Sequence, residues 1–352
     1  LGVSIHFAYQ TFKCSNNARH SDAVHTIIIG LSSQIEQNKS LFNELNNNLI
    51  KRTTNYIGPY LIENFDTIVD NRDISICNSL LMIKGNMPYD YGHLLLTPEE
   101  KDDLISKEPS SIHWIKELLG ADEFIKGKKR WCLWLENITQ NELESMPYIY
   151  QRVQLTKQAR LNSPDQAGRK LANEPHLFRE TNNPETYILI PSTTSENRAY
   201  IPIGFFNKNT ITTNANFMIP NGTLFEFAIL TSEMHNDFMR VVAGRLESRY
   251  RYSNTIVYNN FPFPEVTEAQ KAELSELAED ILLVRQDYPD MTLAELYNPE
   301  TMPEPLKQAH ETLDKAVEKC YRDKPFTDSS ERVAFLFQRY EELIKAEQQG
   351  GK

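Results

Sequence analysis

The sequence predicts an α+β protein in which a mixed α/β domain is followed by a small all-α helical bundle. Three observations carry this expectation. Short β-branched apolar runs alternate with helical stretches through the first three quarters of the chain, and from Pro264 onward the pattern turns purely helical. The composition, 40% hydrophobic, 10% aromatic and 24% charged, is a globular balance that excludes a mainly disordered, collagenous or coiled-coil chain. At 352 residues the chain exceeds the roughly 100–200 of one ordinary domain, so two packed units with a short appendage are expected.

Taken in order, residues 24–33 form a β-branched run too short for a helix, as in a strand buried on both faces, and residues 1–35 read as terminal strands of a sheet completed elsewhere. Residues 36–60 are polar and Asn-rich, which predicts a connector with one short helix near 41–49. The main domain, 61–264, should contain helices at 98–106 and 112–119, strands at 131–136, 186–191 and 200–205, and a longer helix over 223–243. Within it, the turn-rich stretch 160–175 reads as an exposed basic loop. The last unit, 265–352, opens with a Thr267/Gln270 capping box. Its three helices carry apolar stripes through Leu274 and Ile281, Leu306 and Leu313, and Val333 and Phe337, with Asp328 and Glu331 as N-cap and N3 of the last.

The net charge of −11 would normally argue against nucleic acid, but it is unevenly spread. Residues 265–352 hold 20 acids and 11 bases, a net of −9, so residues 1–264 carry only −2. Phosphate contact depends on the local face, and the pI therefore does not exclude DNA binding by the larger part. Four widely spaced cysteines, Cys14, Cys77, Cys132 and Cys320, fit reduced thiols in the cytoplasm and not a disulfide framework or a zinc site. No stretch approaches the roughly 18 apolar residues of a membrane helix, which predicts a soluble protein with no membrane partner. The first residues hold no targeting signal and no initiating methionine, as expected for a piece of a longer chain.

Catalytic machinery is missing. There is no GxSxG, Walker loop, HExxH, GxGxxG or Asn-Pro-Pro-aromatic tetrapeptide, so no catalytic, cofactor-binding or metal residues are expected. Asp90 with Glu99-Glu100-Lys101 loosely matches a nuclease metal motif, yet it also reads as an acidic first turn of a solvated helix. The eight histidines are scattered without paired-ligand spacing. Trp131 and Trp134 read as core and not as base-stacking platforms.

Four segments do carry a family resemblance. The stretch 195–265, including IPIGFFNKNTITTNANFMIPNGTLFEFAILTSEMHNDFMRVVAGRLESRYRYSNTIVYNNFPFPE, resembles the target-recognition domain of MmeI-like enzymes, bacterial DNA methyltransferases often fused to a nuclease. YGHLLLTPEEKDDL and KKRWCLWLEN within 86–136 resemble the start of that domain. YPDMTLAELYNP, LKQAHETLDKAVEKCY and ERVAFLFQRY within 287–344 resemble the family's C-terminal helical domain. FAYQTFKCSNNARHSDAVHTIIIGLSS within 6–33 resembles the last strands of the methyltransferase domain. The resemblance implies a parent that methylates adenine N6 with S-adenosylmethionine. The cofactor glycine motif and catalytic Asn-Pro-Pro-Tyr belong to an N-terminal methyltransferase domain absent from this chain, which alone should be inactive.

The resemblance also implies that a few side chains choose the bases, with Glu247 and Arg249 matching one such pair and Arg251, Asn214, Ala215 and Ser192 falling at or near others. Some relatives carry Glu near Ser192, so the base read there stays open. Spaced by two, Glu247 and Arg249 would project from one side of an extended segment. A carboxylate accepts from cytosine N4 and a guanidinium donates to guanine O6 and N7, so the pair suits a C·G base pair in the major groove. Lys126, Lys128, Lys129, Arg130, Arg160, Arg169 and Lys170 are candidates for phosphate contact with double-stranded DNA. The competing expectation is a protein-interaction or assembly unit of a restriction-modification complex, in which acidic helices bind a partner and the basic residues are merely solvated.

Overall fold

The computed structural model describes residues 2–14, 24–34, 37–45, 48–63 and 66–350. A four-stranded N-terminal sheet has the spatial order Val24–Ser32, Ser4–Cys14, Lys39–Leu45, Asn48–Thr54. Its first two strands are antiparallel, and Ser4–Cys14 runs parallel to Lys39–Leu45 through Phe7↔Ser40 to Tyr9↔Phe42. Two expectations are corrected here. Val24–Ser32 is an edge strand whose Ile27, Ile28, Ile29 and Leu31 are exposed, because nothing among the described residues covers that edge. The predicted helix near 41–49 is instead a pair of antiparallel strands, Lys39–Leu45 and Asn48–Thr54, with Leu45↔Asn48 as the last pair; residues 46–47 lie outside the described residues.

The main domain is built on two further four-stranded sheets and a small three-stranded one. One has the order Gly204–Asn207, Thr186–Pro191, Asn216–Pro220, Ile83–Lys84, all antiparallel. Thr186–Pro191 is buried from Tyr187 on, as its continuous apolar run requires. The second sheet has the order Thr210–Thr212, Ile115–Leu119, Trp131–Leu133, Leu95–Leu96. Ile115–Leu119 was expected to be helical. Its spacing fits both periods, and pairing on both sides with Thr210–Thr212 and Trp131–Leu133 decides for the strand, preceded by a 3-10 turn at Pro109–Trp114. Helix Pro98–Lys107 begins with the capping box Thr97/Glu100.

The helix expected over 223–243 is two helices, Leu224–Thr231 and Glu233–Val242. Ser232 breaks it: at ψ 159° its hydroxyl donates to Ile229 O at 2.7 Å and caps the second helix by accepting from His235 N. The second helix leads directly into the 244–251 hairpin, so whatever fixes the helix aims the hairpin. That support comes from the C-terminal helices Glu268–Gln286, Glu304–Tyr321 and Ser329–Gly350. Leu274, Leu306, Leu313 and Phe337 share one continuous core with Ile190, Phe217, Phe227 and Phe238 of the main domain. Arg332 joins Glu233, Asp237 and Glu318 in a largely buried ion cluster, and Asp314 accepts from Glu233 N and Tyr200 Oη, both at 2.7 Å. Burial pushes the Asp314 carboxyl up to about 8.

Among the described residues Cys77, Cys132 and Cys320 are free thiols, the Cys14 side chain lying outside them. Burial raises the thiol pKa of all three, leaving none activated. Among the described residues no helix is long and apolar enough to cross a membrane.

Candidate nucleic-acid interface

The hairpin follows from a two-residue alternation. Gly244–Leu246 pairs with Arg249–Arg251, and Leu246↔Arg249 closes the turn Glu247-Ser248. Tyr250 points inward and is buried, which turns Arg249 and Arg251 outward. Arg245 crosses over the Tyr250 ring with its guanidinium carbon 3.6 Å from the centroid. On its other side Arg249–Arg251 pairs with Thr193–Thr194 through Thr193↔Arg251, and Tyr252 N donates to Ser192 O at 2.8 Å. Ser192 in turn donates to Ala215 O from its backbone nitrogen at 3.0 Å and from Oγ at 2.7 Å.

Five predicted positions that lie up to sixty residues apart in sequence, Ser192, Ala215, Glu247, Arg249 and Arg251, therefore share one continuous ledge. The sixth, Asn214, is anchored by its nitrogen to Asn86 O at 2.9 Å. It lines an adjoining cleft of about 450 Å³ together with Tyr91, Thr213 and Arg130.

Glu247 requires a correction. It sits in the turn with φ 57°, not on an extended segment beside Arg249. Hairpin turns of this length favour residues at positive φ, usually Gly or Asn, so a glutamate here is strained. Its carboxylate still meets Arg249, accepting from Nη2 at 2.8 Å, with side chains 77% and 46% exposed respectively. An exposed bridge of this kind contributes under ~1 kcal/mol, so both groups are available to other partners at small cost.

The basic candidates separate into three groups. Lys126 and Lys128 share Asp122 at 2.9 and 2.6 Å, Lys129 meets Glu117 at 2.9 Å and Arg130 meets Glu123 at 3.5 Å. The cluster is thus largely neutralised in place, although its three lysines are exposed. Arg169 and Lys170 are exposed on the short helix Gln166–Lys170, where Arg169 donates to the carbonyls of Ser163 and Pro164. Arg160 is not a phosphate contact. It is fully buried and donates to the carbonyls of Tyr89, Pro88, Leu171, Glu174 and Leu177 at 2.7–3.1 Å.

Arg160 also explains why 160–175 is not the expected loop. Helix Pro147–Leu161 ends there, the Asp165 carboxylate caps Gln166–Lys170 by accepting from Ala167 N and Gly168 N, and the arginine collects the carbonyls left over. Arg240, another member of the sequence's basic clusters, is likewise held by Asp237 and the carbonyl of Ala199.

The nuclease-like trace dissolves into local structure. Asp90 is buried and accepts from Leu94 N at 2.7 Å, Glu100 caps its own helix and Lys101 lies over the Trp131 ring at 4.3 Å. Trp134 is core and Trp131 half-buried. Among the described residues no three His, Cys, Asp or Glu side chains converge as metal ligands; His20 lies outside them. His235 is buried, with Nδ1 2.9 Å from Leu230 O and Nε2 3.0 Å from Tyr252 Oη, and burial depresses its pKa to about 4. It is a structural residue behind the ledge.

Comparison with known families now bears on this arrangement. The model of the MmeI target recognition domain matches residues 63–265, and that of the MmeI C-terminal domain matches residues 266–347. The chain belongs to the MmeI family. It is 40% identical over 347 residues to DNA methyltransferase A of Bacillus subtilis (strain 168), covering 98% of this chain and 39% of that protein. It also superposes on a solved structure of the type IIL restriction-modification enzyme MmeI in complex with DNA, with a TM-score of 0.90, 40% identity and coverage of 98% of this chain and 46% of that one. The MmeI-family chain thus spans less than half the length of these relatives, and within it the ledge lies inside the target-recognition segment.

Sequence inspection missed the aromatic side of this site. Tyr89 and Tyr91 both adopt positive φ next to Gly92, and the only trace in the sequence is the close spacing of Tyr, Asp and Gly after Pro88.

Proposed function

We propose that this chain is the DNA-reading part of a bacterial site-specific adenine-N6 methyltransferase of the restriction-modification type, working on double-stranded DNA in the cytoplasm. The observation that carries the proposal is the ledge: an exposed Glu247–Arg249 pair at a hairpin tip, continuous with Arg251, Ser192 and Ala215. A two-stranded β-ribbon fits the major groove. Once there, the weak Glu–Arg bridge is exchanged for a cytosine N4 donor on the carboxylate and guanine O6 and N7 on the guanidinium. Asn214 suits an adenine edge by the same logic. Arg169 and Lys170 contribute register through phosphate without choosing sequence, and the 126–130 lysines do so by exchanging Asp122 and Glu117 for phosphate.

An amine inside stacked DNA cannot reach a methyl donor, so the parent enzyme must extrude its adenine while this part holds the flanking duplex. The methyl group comes from S-adenosylmethionine. This chain has no glycine-rich loop or Asn-Pro-Pro-Tyr turn to hold that cofactor, and its residues supply recognition only. We assign the cofactor to an N-terminal methyltransferase domain, the intended partner of the uncovered Val24–Ser32 edge. The exposed Ile27, Ile29 and Leu31, and a neighbouring cavity between Tyr9, Phe12, Ile28, Phe42 and Leu49, support such a docking.

Selection from a randomised duplex library at moderate salt tests the proposal. A defined motif containing a C·G pair beside an adenine is expected. Absence of DNA affinity even at low salt would instead favour an assembly unit without base readout.

A further inference from the structure

The cleft beside the ledge contains a residue that the hairpin argument does not use. Tyr91 is 55% exposed, and it and Tyr148 are the only exposed tyrosines among the described residues. It sits at φ 55°, two residues after Tyr89 at φ 47° and directly before Gly92 at φ 88°. Ordinary side chains avoid this region, and such conformations persist only where surrounding structure over-determines them.

Here it does. Arg160 holds the carbonyls of Pro88 and Tyr89 from within the core, and buried Asp90 accepts from Leu94 N at 2.7 Å. Tyr89 Oη meets Ser163 Oγ at 3.0 Å, and the Tyr89 ring closes so tightly on Gly168 that a Cβ there would lie 2.3 Å from its hydroxyl. Pro88, Tyr89 and Asp90 are thus tied down, and the exposed Tyr91 ring meets Tyr89 edge-on at 5.9 Å. The turn is a rigid mount for one aromatic face.

That face opens on the cleft lined also by Asn214, Thr213 and Arg130. Its volume of about 450 Å³ falls within the roughly 300–1,000 Å³ of small-ligand sites, and the amide and guanidinium give its walls donors for a polar ring edge. Asn214 precedes Ala215, and Ala215 is bonded to Ser192, so the cleft continues the ledge. In an intact duplex each base face is covered by its neighbours. An aromatic ring held in a cleft therefore meets a base face only where a nucleotide has left the stack. We propose that Tyr91 stacks on an unpaired nucleobase at the edge of the recognised site, with Asn214 and Arg130 beside its edge; the stacking adds affinity whatever the base, and the inference rests on the DNA-reading function proposed above.

The test uses the full chain and the duplex selected from the library, with 2-aminopurine placed at each position in turn. Stacking of one base is expected to weaken binding about five- to hundredfold when lost. Tyr91→Ala should show that loss with an unchanged melting temperature and unchanged base preference, whereas Tyr91→Phe should bind within about twofold of wild type, since the face is kept. Tyr91→Gly suits φ 55° and preserves the turn, so it should lose as much affinity as Tyr91→Ala. One 2-aminopurine position should respond to wild type and Tyr91→Phe but not to Tyr91→Ala.

The inference is overturned if Tyr91→Ala binds like wild type, or if no probe position separates the variants. A Tyr91→Phe variant as weak as Tyr91→Ala also overturns it, since that marks a hydroxyl contact to phosphate. Should wild type bind no duplex at all, the DNA-reading proposal itself fails, a result distinct from these.

Discussion

Arg160 gives the sharpest test of how the structure separates scaffold from interface. Replacing it with Met keeps an apolar stem of similar reach but removes every donor from the carbonyls of Pro88, Tyr89, Leu171, Glu174 and Leu177. Each buried carbonyl left unpaired costs about 1–3 kcal/mol. At the lower end the five together approach ~5 kcal/mol, a large share of the roughly 5–15 kcal/mol by which domains are stable. For a chain of this size, at about 2–4 °C per kcal/mol, the melting temperature should fall by roughly 10–20 °C. Thermal unfolding followed by circular dichroism measures this, with low-salt DNA affinity measured below the transition and corrected for folded fraction. Affinity per folded molecule should fall no further than for Tyr91→Ala, since Arg160 touches DNA only through the Pro88–Tyr89 turn that it holds. If Arg160→Met melted within ~2 °C of wild type and lost DNA affinity, the assignment of Arg160 to the core would be wrong.

Other consequences follow from the same contacts. Arg332→Ala leaves Glu233, Asp237 and Glu318 without their shared cation; denaturant titration should show a loss of about 3–5 kcal/mol, accompanied by weaker DNA binding because the helix carrying the hairpin is no longer braced. His235 is neutral when folded and ordinary when unfolded, so the stability it contributes is present above about pH 6.5 and lost as pH falls toward its folded value of about 4. Relative to His235→Phe, wild type should lose up to about 3 kcal/mol over that interval in pH-dependent melts, and parallel profiles would contradict the assignment. If Arg169 contacts phosphate, Arg169→Ala should reduce the slope of log affinity against log salt by about 1 without altering base preference, and an unchanged slope would remove it from the interface.

How much of this was legible in the sequence depended on whether local signals acted alone. Where side chain and backbone settle an element between them, the sequence sufficed: the Thr267/Gln270 box starts its helix, the helix expected at 98–106 is Pro98–Lys107, and the strand expected at 186–191 is Thr186–Pro191. Where distant partners decide, it did not. Ile115–Leu119 becomes a strand because Thr210–Thr212 and Trp131–Leu133 flank it, and Arg160 leaves the surface because five carbonyls from two segments, 88–89 and 171–177, need one donor. Ser192, Ala215, Glu247, Arg249 and Arg251 were each suggested by resemblance, but only the ladder Thr193↔Arg251 and the bond from Ser192 to Ala215 show that they form one surface. The positive φ of Glu247, Tyr89 and Tyr91 had no sequence signature, because none is a residue that favours it.

The central claim is that the hairpin tip chooses a base pair, and a charge exchange there tests it most directly. Library selection run in parallel on wild type and on a Glu247→Lys, Arg249→Asp double variant should give motifs of the same length that differ at one position, where the wild-type preference for C·G, about 1–3 kcal/mol over other pairs, is lost or reversed. Identical motifs from the two proteins, with full affinity retained, would contradict the account.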